Sequence, residues 1–142
     1  MERESMVHAL ELIRPMLAAG GVLVDIHPRP EPPPIEVRLG REIYPVGWVR
    51  EADDYVEYVW ADEALATAVA RGLYTREKQG SFAFTTYTAS ILELRDHLAE
   101  TWTDAIIDEA VIGQALDLMQ TVQPDKEVIL REVVKIARLK PL

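Results

Sequence analysis

Cysteine is missing from this chain, and several kinds of chemistry go with it: disulfides, thiolate metal sites and cysteine nucleophiles are all excluded. Long hydrophobic runs are missing too. No stretch approaches the ~20 apolar residues that a membrane helix requires, and the opening Met-Glu-Arg-Glu is not a signal peptide, so no membrane association is expected and a cytoplasmic protein is the default. Positive charge is scarce, with 15 basic against 24 acidic side chains and a net charge of −9. That sign repels phosphate backbones and anionic lipid, so nucleic acid is not an expected partner. The basic residues near the end (Arg131, Lys135, Arg138, Lys140) alternate with apolar ones and read as the solvated face of one element. Glycine is sparse, at positions 20, 21, 40, 47, 72, 80 and 113, and never in a G-x-G spacing. No serine lies in a nucleophile elbow and no phosphate loop is present.

What is there is a well-patterned single domain of 142 residues, almost half of them hydrophobic. Met6, Leu10, Ile13 and Leu17 make an apolar stripe at helical spacing, with Pro15 bending the end of the helix and Gly20 suited to a left-handed cap. The run Val22–His27 follows, apolar enough for a strand covered on both faces. His27–Pro34 is a polyproline-like connector. Ile35–Leu39 alternates with period two, Gly40-Arg41 suits a hairpin turn, and Glu42–Val49 returns, with Pro45 confining it to an edge or a bulge.

Further on, Asp62 is placed to cap a helix over Glu63–Arg71, with Leu65 and Val69 inward and Gly72 as the stop. Ser81–Tyr87 has strand composition. Ser90 and Glu93 form a capping box ahead of Ile91, Leu94 and Leu98. A further helix is expected over Asp104–Gln120, with Ile107, Val111, Gln114 and Leu118 on one side. Glu127–Leu139 would suit a helix by spacing, but its density of Val and Ile favours a long strand.

The stretch Leu10–Ile26, an aliphatic helix running through Gly20-Gly21 into a strand, resembles the C-terminal half of class I S-adenosylmethionine-dependent methyltransferases. In that family a helix ending L-x-P-G-G leads into the fifth strand; here the proline stands earlier, at Pro15, and Ala18-Ala19 precede the glycines. Phe82–Tyr87, Ser90–Leu98 and Val128–Leu139 then look like the sixth strand, its helix and the antiparallel seventh strand. The resemblance implies an α/β fold: a partial Rossmann-like methyltransferase half, with a small mixed sheet, four flanking helices and an inserted β-hairpin within an elaboration at about 28–80. The family's cofactor residues lie in the first four strands, before the point where this chain begins. No cofactor site is therefore expected in the isolated chain, and S-adenosylmethionine would require a partner to supply the site. The strand 22–26 would be left with an open edge, to be covered by the hairpin, by a second copy in a homodimer or by a heteromeric partner.

For chemistry, His27 is the sharpest candidate, at the carboxyl end of a strand, with Asp25 two residues earlier to orient it as a general base; alternatively it simply ends the strand at the surface. His8 and His97 have no partner at ligand spacing, so no metal site is expected. Asp53, Asp54, Glu57, Asp62 and Glu63 suggest either a cation site or an exposed acidic turn. Tyr44, Trp48, Tyr55, Tyr58 and Trp60 gather half the aromatics into one segment, as a substrate or partner surface or as a local core. Three readings follow from the resemblance: a methyltransferase-like module without its own cofactor site, acting by protein–protein or small-ligand binding; the substrate-side half of a split methyltransferase; or a fragment that folds without an independent role.

Overall fold

A computed structural model describes residues 2–142. Its α/β content comprises four helices and an antiparallel sheet: α1 (Arg3–Ile13), β1 (Leu23–Pro28), β2 (Pro34–Leu39), β3 (Glu42–Trp48), β4 (Arg50–Glu51), α2 (Val56–Ala70), β5 (Tyr74–Thr88), α3 (Ile91–Thr101), β6 (Ala105–Ile106), α4 (Glu109–Met119) and β7 (Lys126–Pro141). Contacts divide the chain into two compact units, one of residues 1–30, 55–82 and 133–142, the other of 31–54 and 83–132. The long strands β5 and β7 pair with each other and contribute to both.

In the first unit β1 pairs antiparallel with the end of β7, Leu23 opposite Leu139 and His27 opposite Lys135. Alternation then sends Leu23, Asp25 and His27 to one face and Val24 and Ile26 to the other. The core holds Leu65, Ala68, Tyr74, Ala137 and Leu139, with Leu10 of α1 against them. Tyr74 is 1% exposed, and its hydroxyl donates to the Leu10 carbonyl at 2.6 Å, which satisfies the one polar atom this large ring brings inside.

In the second unit β2 pairs with β3 and with the start of β7, Ile35 opposite Leu130 and Val37 opposite Val128. These four side chains are fully buried against Ile91, Leu94 and Leu98 of α3 and Ile112 and Ala115 of α4. Gly40 turns the hairpin at a φ of 61°, as its sequence suggests. The Pro45 expectation holds in both its forms: β3 ends the sheet order, and the register slips by one residue so that Ile35 faces Gly47 while Glu36 faces Pro45. Gly47 lets α4 approach; a Cβ there would meet Val111 Cγ2 at 2.4 Å. The capping box forms, with Ser90 Oγ accepting from the Glu93 N–H at 3.1 Å and Glu93 accepting from the Ala89 N–H at 2.9 Å.

Several expectations are overturned. The sheet is antiparallel rather than mixed, because every registered pairing is either a hairpin or runs through β7, whose direction opposes its neighbours. Asp62 does not cap a helix: α2 begins at Val56, after a buried Tyr55 in the left-handed conformation, and Asp62 lies mid-helix. The strand expected at Ser81–Tyr87 starts seven residues earlier, through a polar run that reads as loop. The helix expected from Asp104 is interrupted, since Ala105–Ile106 pair with Arg50–Glu51 and Arg50 binds Asp108 at 2.6 Å at the head of the shortened α4. Within α4 it is Ile112 and Ala115, not Gln114, that turn inward. α1 gives way to a 3-10 turn over Arg14–Met16, so Gly20, at a φ of 75°, serves the turn into β1 rather than the helix cap. The strand thought to be covered on both faces leaves Val24 50% and Ile26 57% exposed. Among the described residues no helix is long and apolar enough to cross a membrane.

Candidate functional site

β1 and α2 together build a charged cluster in the first unit. On β1, Asp25 and His27 stand two residues apart and therefore side by side on one face. The antiparallel register sets Lys135 of β7 directly opposite His27. From α2, Asp62 reaches the same place, with Leu65 one turn further along the same helical face.

The distances are short. His27 Nδ1 lies 2.5 Å from Asp25 Oδ2, and Nε2 lies 2.6 Å from Asp62 Oδ1. Lys135 Nζ donates to both oxygens of Asp62, each at 2.9 Å. A neutral imidazole has one N–H and one lone pair, so one of its nitrogens would oppose a carboxylate lone pair. Both contacts are satisfied only by the imidazolium, which donates twice. The Asp25 hydrogen bond accordingly raises the His27 pKa above its usual value, against the effect of burial, and Asp62 adds to the rise. Burial works against the charge on Asp62, yet the bonds from Lys135 and His27 overcome it and hold its carboxyl below the usual range.

The sequence-derived pair His27 and Asp25 is thus brought together, with Asp62 on the other ring nitrogen. A base needs a free lone pair, and Asp62 occupies the nitrogen that would carry it. The cluster instead forms one wall of a cavity of about 470 Å³, all of whose lining residues belong to the first unit. Arg29 and Arg76, with Gln79, Gly80 and Ser81 of β5, supply its remaining polar lining; Leu65, Val133, Ile136 and Ala137 supply its apolar part. No protein-family model matches the chain. No curated protein and no solved structure is significantly similar to it.

The aromatic segment behaves differently from the histidine. Tyr44 and Trp48 lie in the second unit, Tyr55, Tyr58 and Trp60 in the first, and none of the five lines the cavity. Trp48 is 62% exposed, whereas Tyr55 is buried and its ring lies 6.0 Å from that of Tyr58. The acidic group at 53–63 also separates: Asp62 joins His27, and Glu63 takes Arg3. Among the described residues no group of three or more His, Asp and Glu is arranged to hold a metal ion.

Asp62 and Lys135 were assigned other roles by the sequence, as a helix cap and as part of a solvated basic face. Lys135 carried a legible signal, because pairing the first and last strands antiparallel places one basic residue opposite the only histidine on a strand. Asp62 carried none. Its partner is 35 residues away, and local pattern offers no link between them.

Proposed function

We propose that this chain is a methyltransferase-like binding module without its own cofactor site, which takes a small ligand in the cavity beside His27. The observation that carries the reading is the cavity of about 470 Å³ in which apolar and convergent charged side chains meet, the usual make-up of a small-molecule site. The tethering of both His27 nitrogens favours binding over catalysis. The methyltransferase ancestry draws support from the antiparallel pairing of β1 with β7, as the resemblance implies for strands five and seven.

A fragment screen followed by amide NMR of the full chain tests this, with S-adenosylmethionine included. Ligand-induced shifts should gather at residues 25–29, 79–81 and 133–137. Saturable binding confined to other residues would reject the cavity, and micromolar S-adenosylmethionine binding by the chain alone would reject the missing cofactor site.

The alternative, the substrate-side half of a split methyltransferase, is favoured by one separate observation. β1 ends the sheet order and keeps Val24 and Ile26 half exposed, the position at which a partner strand would add. In that reading a heteromeric partner supplies the cofactor loop; a homodimer through strand 22–26 is the competing way to cover the same edge. Sedimentation analysis separates them, since a dimer of the pure chain that an Ile26→Lys substitution dissociates would favour self-pairing.

A further inference from the structure

The cavity's charge points beyond a generic small-molecule site. Its lining holds two acidic side chains, Asp25 and Asp62, and four basic ones, His27, Arg29, Arg76 and Lys135. Both acids are already engaged: Asp25 by His27, and Asp62 by His27 and Lys135 together. Cations entering the cavity would meet carboxylates whose lone pairs face other donors. Arg76 is not balanced in this way. Arg76 projects from β5 with the amide oxygen of Gln79 as its hydrogen-bond partner at 3.1 Å, and among the described residues it makes no ion pair. A guanidinium held by a neutral amide keeps its full charge and most of its five donors for something else. A net-positive cavity is notable in a chain of net charge −9, where chance placement would favour the opposite sign. Beside this charge lie Leu65, Val133 and Ala137, an apolar floor that an inorganic ion would leave unused.

Building on the ligand-binding reading, we infer that the cavity binds a small organic anion, a carboxylate or phosphate monoester with an apolar body. Its charged end meets Arg76, and its body lies on Leu65, Val133 and Ala137. The His27 cluster acts as the rigid wall that keeps Asp25 and Asp62 from repelling the anion.

The experiment titrates the full chain with four probes of similar size, followed by calorimetry and by the amide signals of Gly80, Ser81 and Lys135. Phenyl phosphate and benzoate carry the anion, benzyl alcohol is neutral and benzylamine is cationic; inorganic phosphate is the control for charge alone. Phenyl phosphate should bind at least ~10-fold tighter than benzyl alcohol, the scale of one charge-assisted contact, and inorganic phosphate more weakly than phenyl phosphate. Arg76→Gln should remove most of that preference while leaving benzyl alcohol unchanged, and Arg76→Lys should keep part of it. Arg76 is exposed, so the substitutions spare the core. In the unaltered chain, added salt should weaken phenyl phosphate and spare benzyl alcohol, a readout that needs no variant. Equal affinity for the neutral and anionic probes, or preference for benzylamine, would overturn the inference and leave the cavity as a ligand site. Absence of binding by all the probes would remove the inference, and the earlier fragment screen then decides whether the cavity reading falls with it.

Discussion

β7 is one strand with two different neighbourhoods. Its first part sets Val128 and Leu130 against Val37 and Ile35, four aliphatic side chains with no exposure at all. Its last part sets Ala137 and Lys135 against Asp25 and His27. Strand period and pairing sense are the same in both. In the second unit the buried sheet face is closed by Leu94, Leu98 and Ile112, and its polar groups lie at the rim, as with Arg38, which holds Glu127 at 2.8 Å and Asp125 at 3.0 Å. In the first unit a paired ion cluster stands where a hydrophobic layer would fit. Lys135 and Asp62 keep part of their surface in solvent, so the cluster contributes less to stability than the closed aliphatic layer of the second unit. The second unit is the aliphatic scaffold, and the first carries a charged cavity beside its own core.

Four experiments would sharpen or break that contrast. The largest effect belongs to the scaffold: Leu94→Ala should lower unfolding free energy by about 2–5 kcal/mol in urea titration, because the fully buried site cannot refill. A loss under 1 kcal/mol would mean that this core is looser than its packing implies. Next comes Asp62→Asn, which leaves His27 and Lys135 facing an amide; a cost of about 1–3 kcal/mol is expected. The same variant should bring the His27 titration, followed by its ring proton resonances, to lower pH. An unchanged titration would deny the Asp62 contact.

Gly47→Ala, in the scaffold, should cost about 1–3 kcal/mol, since the methyl would meet Val111 Cγ2 at 2.4 Å and the φ of 154° disfavours a side chain. Thermal melting no different from that of the unaltered chain would contradict that packing. The smallest effect is electrostatic and confined to the first unit. His27 has a raised pKa in the folded chain, so its contribution is complete below 6.5 and is lost as pH rises through the raised value. Asp62 has a lowered one, so its contribution is complete above 3.8 and is lost as pH falls through the lowered value. Amide exchange, corrected for intrinsic rates, should therefore show β1 losing protection on the alkaline side while Val128 and Leu130 keep theirs. Equal loss in both units would erase the distinction.

The scaffold was the more legible of the two in the sequence. Period-two alternation at Ile35–Leu39, the Gly40-Arg41 turn and the Ser90/Glu93 box are local signals, and local signals survive folding. Where a local signal was ambiguous, tertiary contact decided. Val56–Trp60 is rich in β-branched and aromatic residues that do not announce a helix, yet they form the first turns of α2. Tyr74–Gly80 lacks strand composition, yet β5 runs through it beside β7. The site shows the same division. His27 and Asp25 were visible as an i, i+2 pair; Lys135 required a strand register, and Asp62 and Arg76 required the folded chain.

The position of β7 in the chain also bears on synthesis. β1, β2 and β5 all take hydrogen-bond partners from Lys126–Pro141, so none of them has β7 beside it until Lys126 has been added. β1 ends at Pro28, so at ~5–20 residues per second its edge stays bare for on the order of 5–20 s before Lys126 is made. The β2–β3 hairpin and the two-residue β4–β6 pair are the registered pairings open to the nascent chain in that interval, and pairings so small are marginal in water. A ribosome stalled before Lys126 would therefore hold a chain with β1 and β5 unmatched and β2 paired on one edge alone, a substrate for chaperones and proteases rather than a half-built domain.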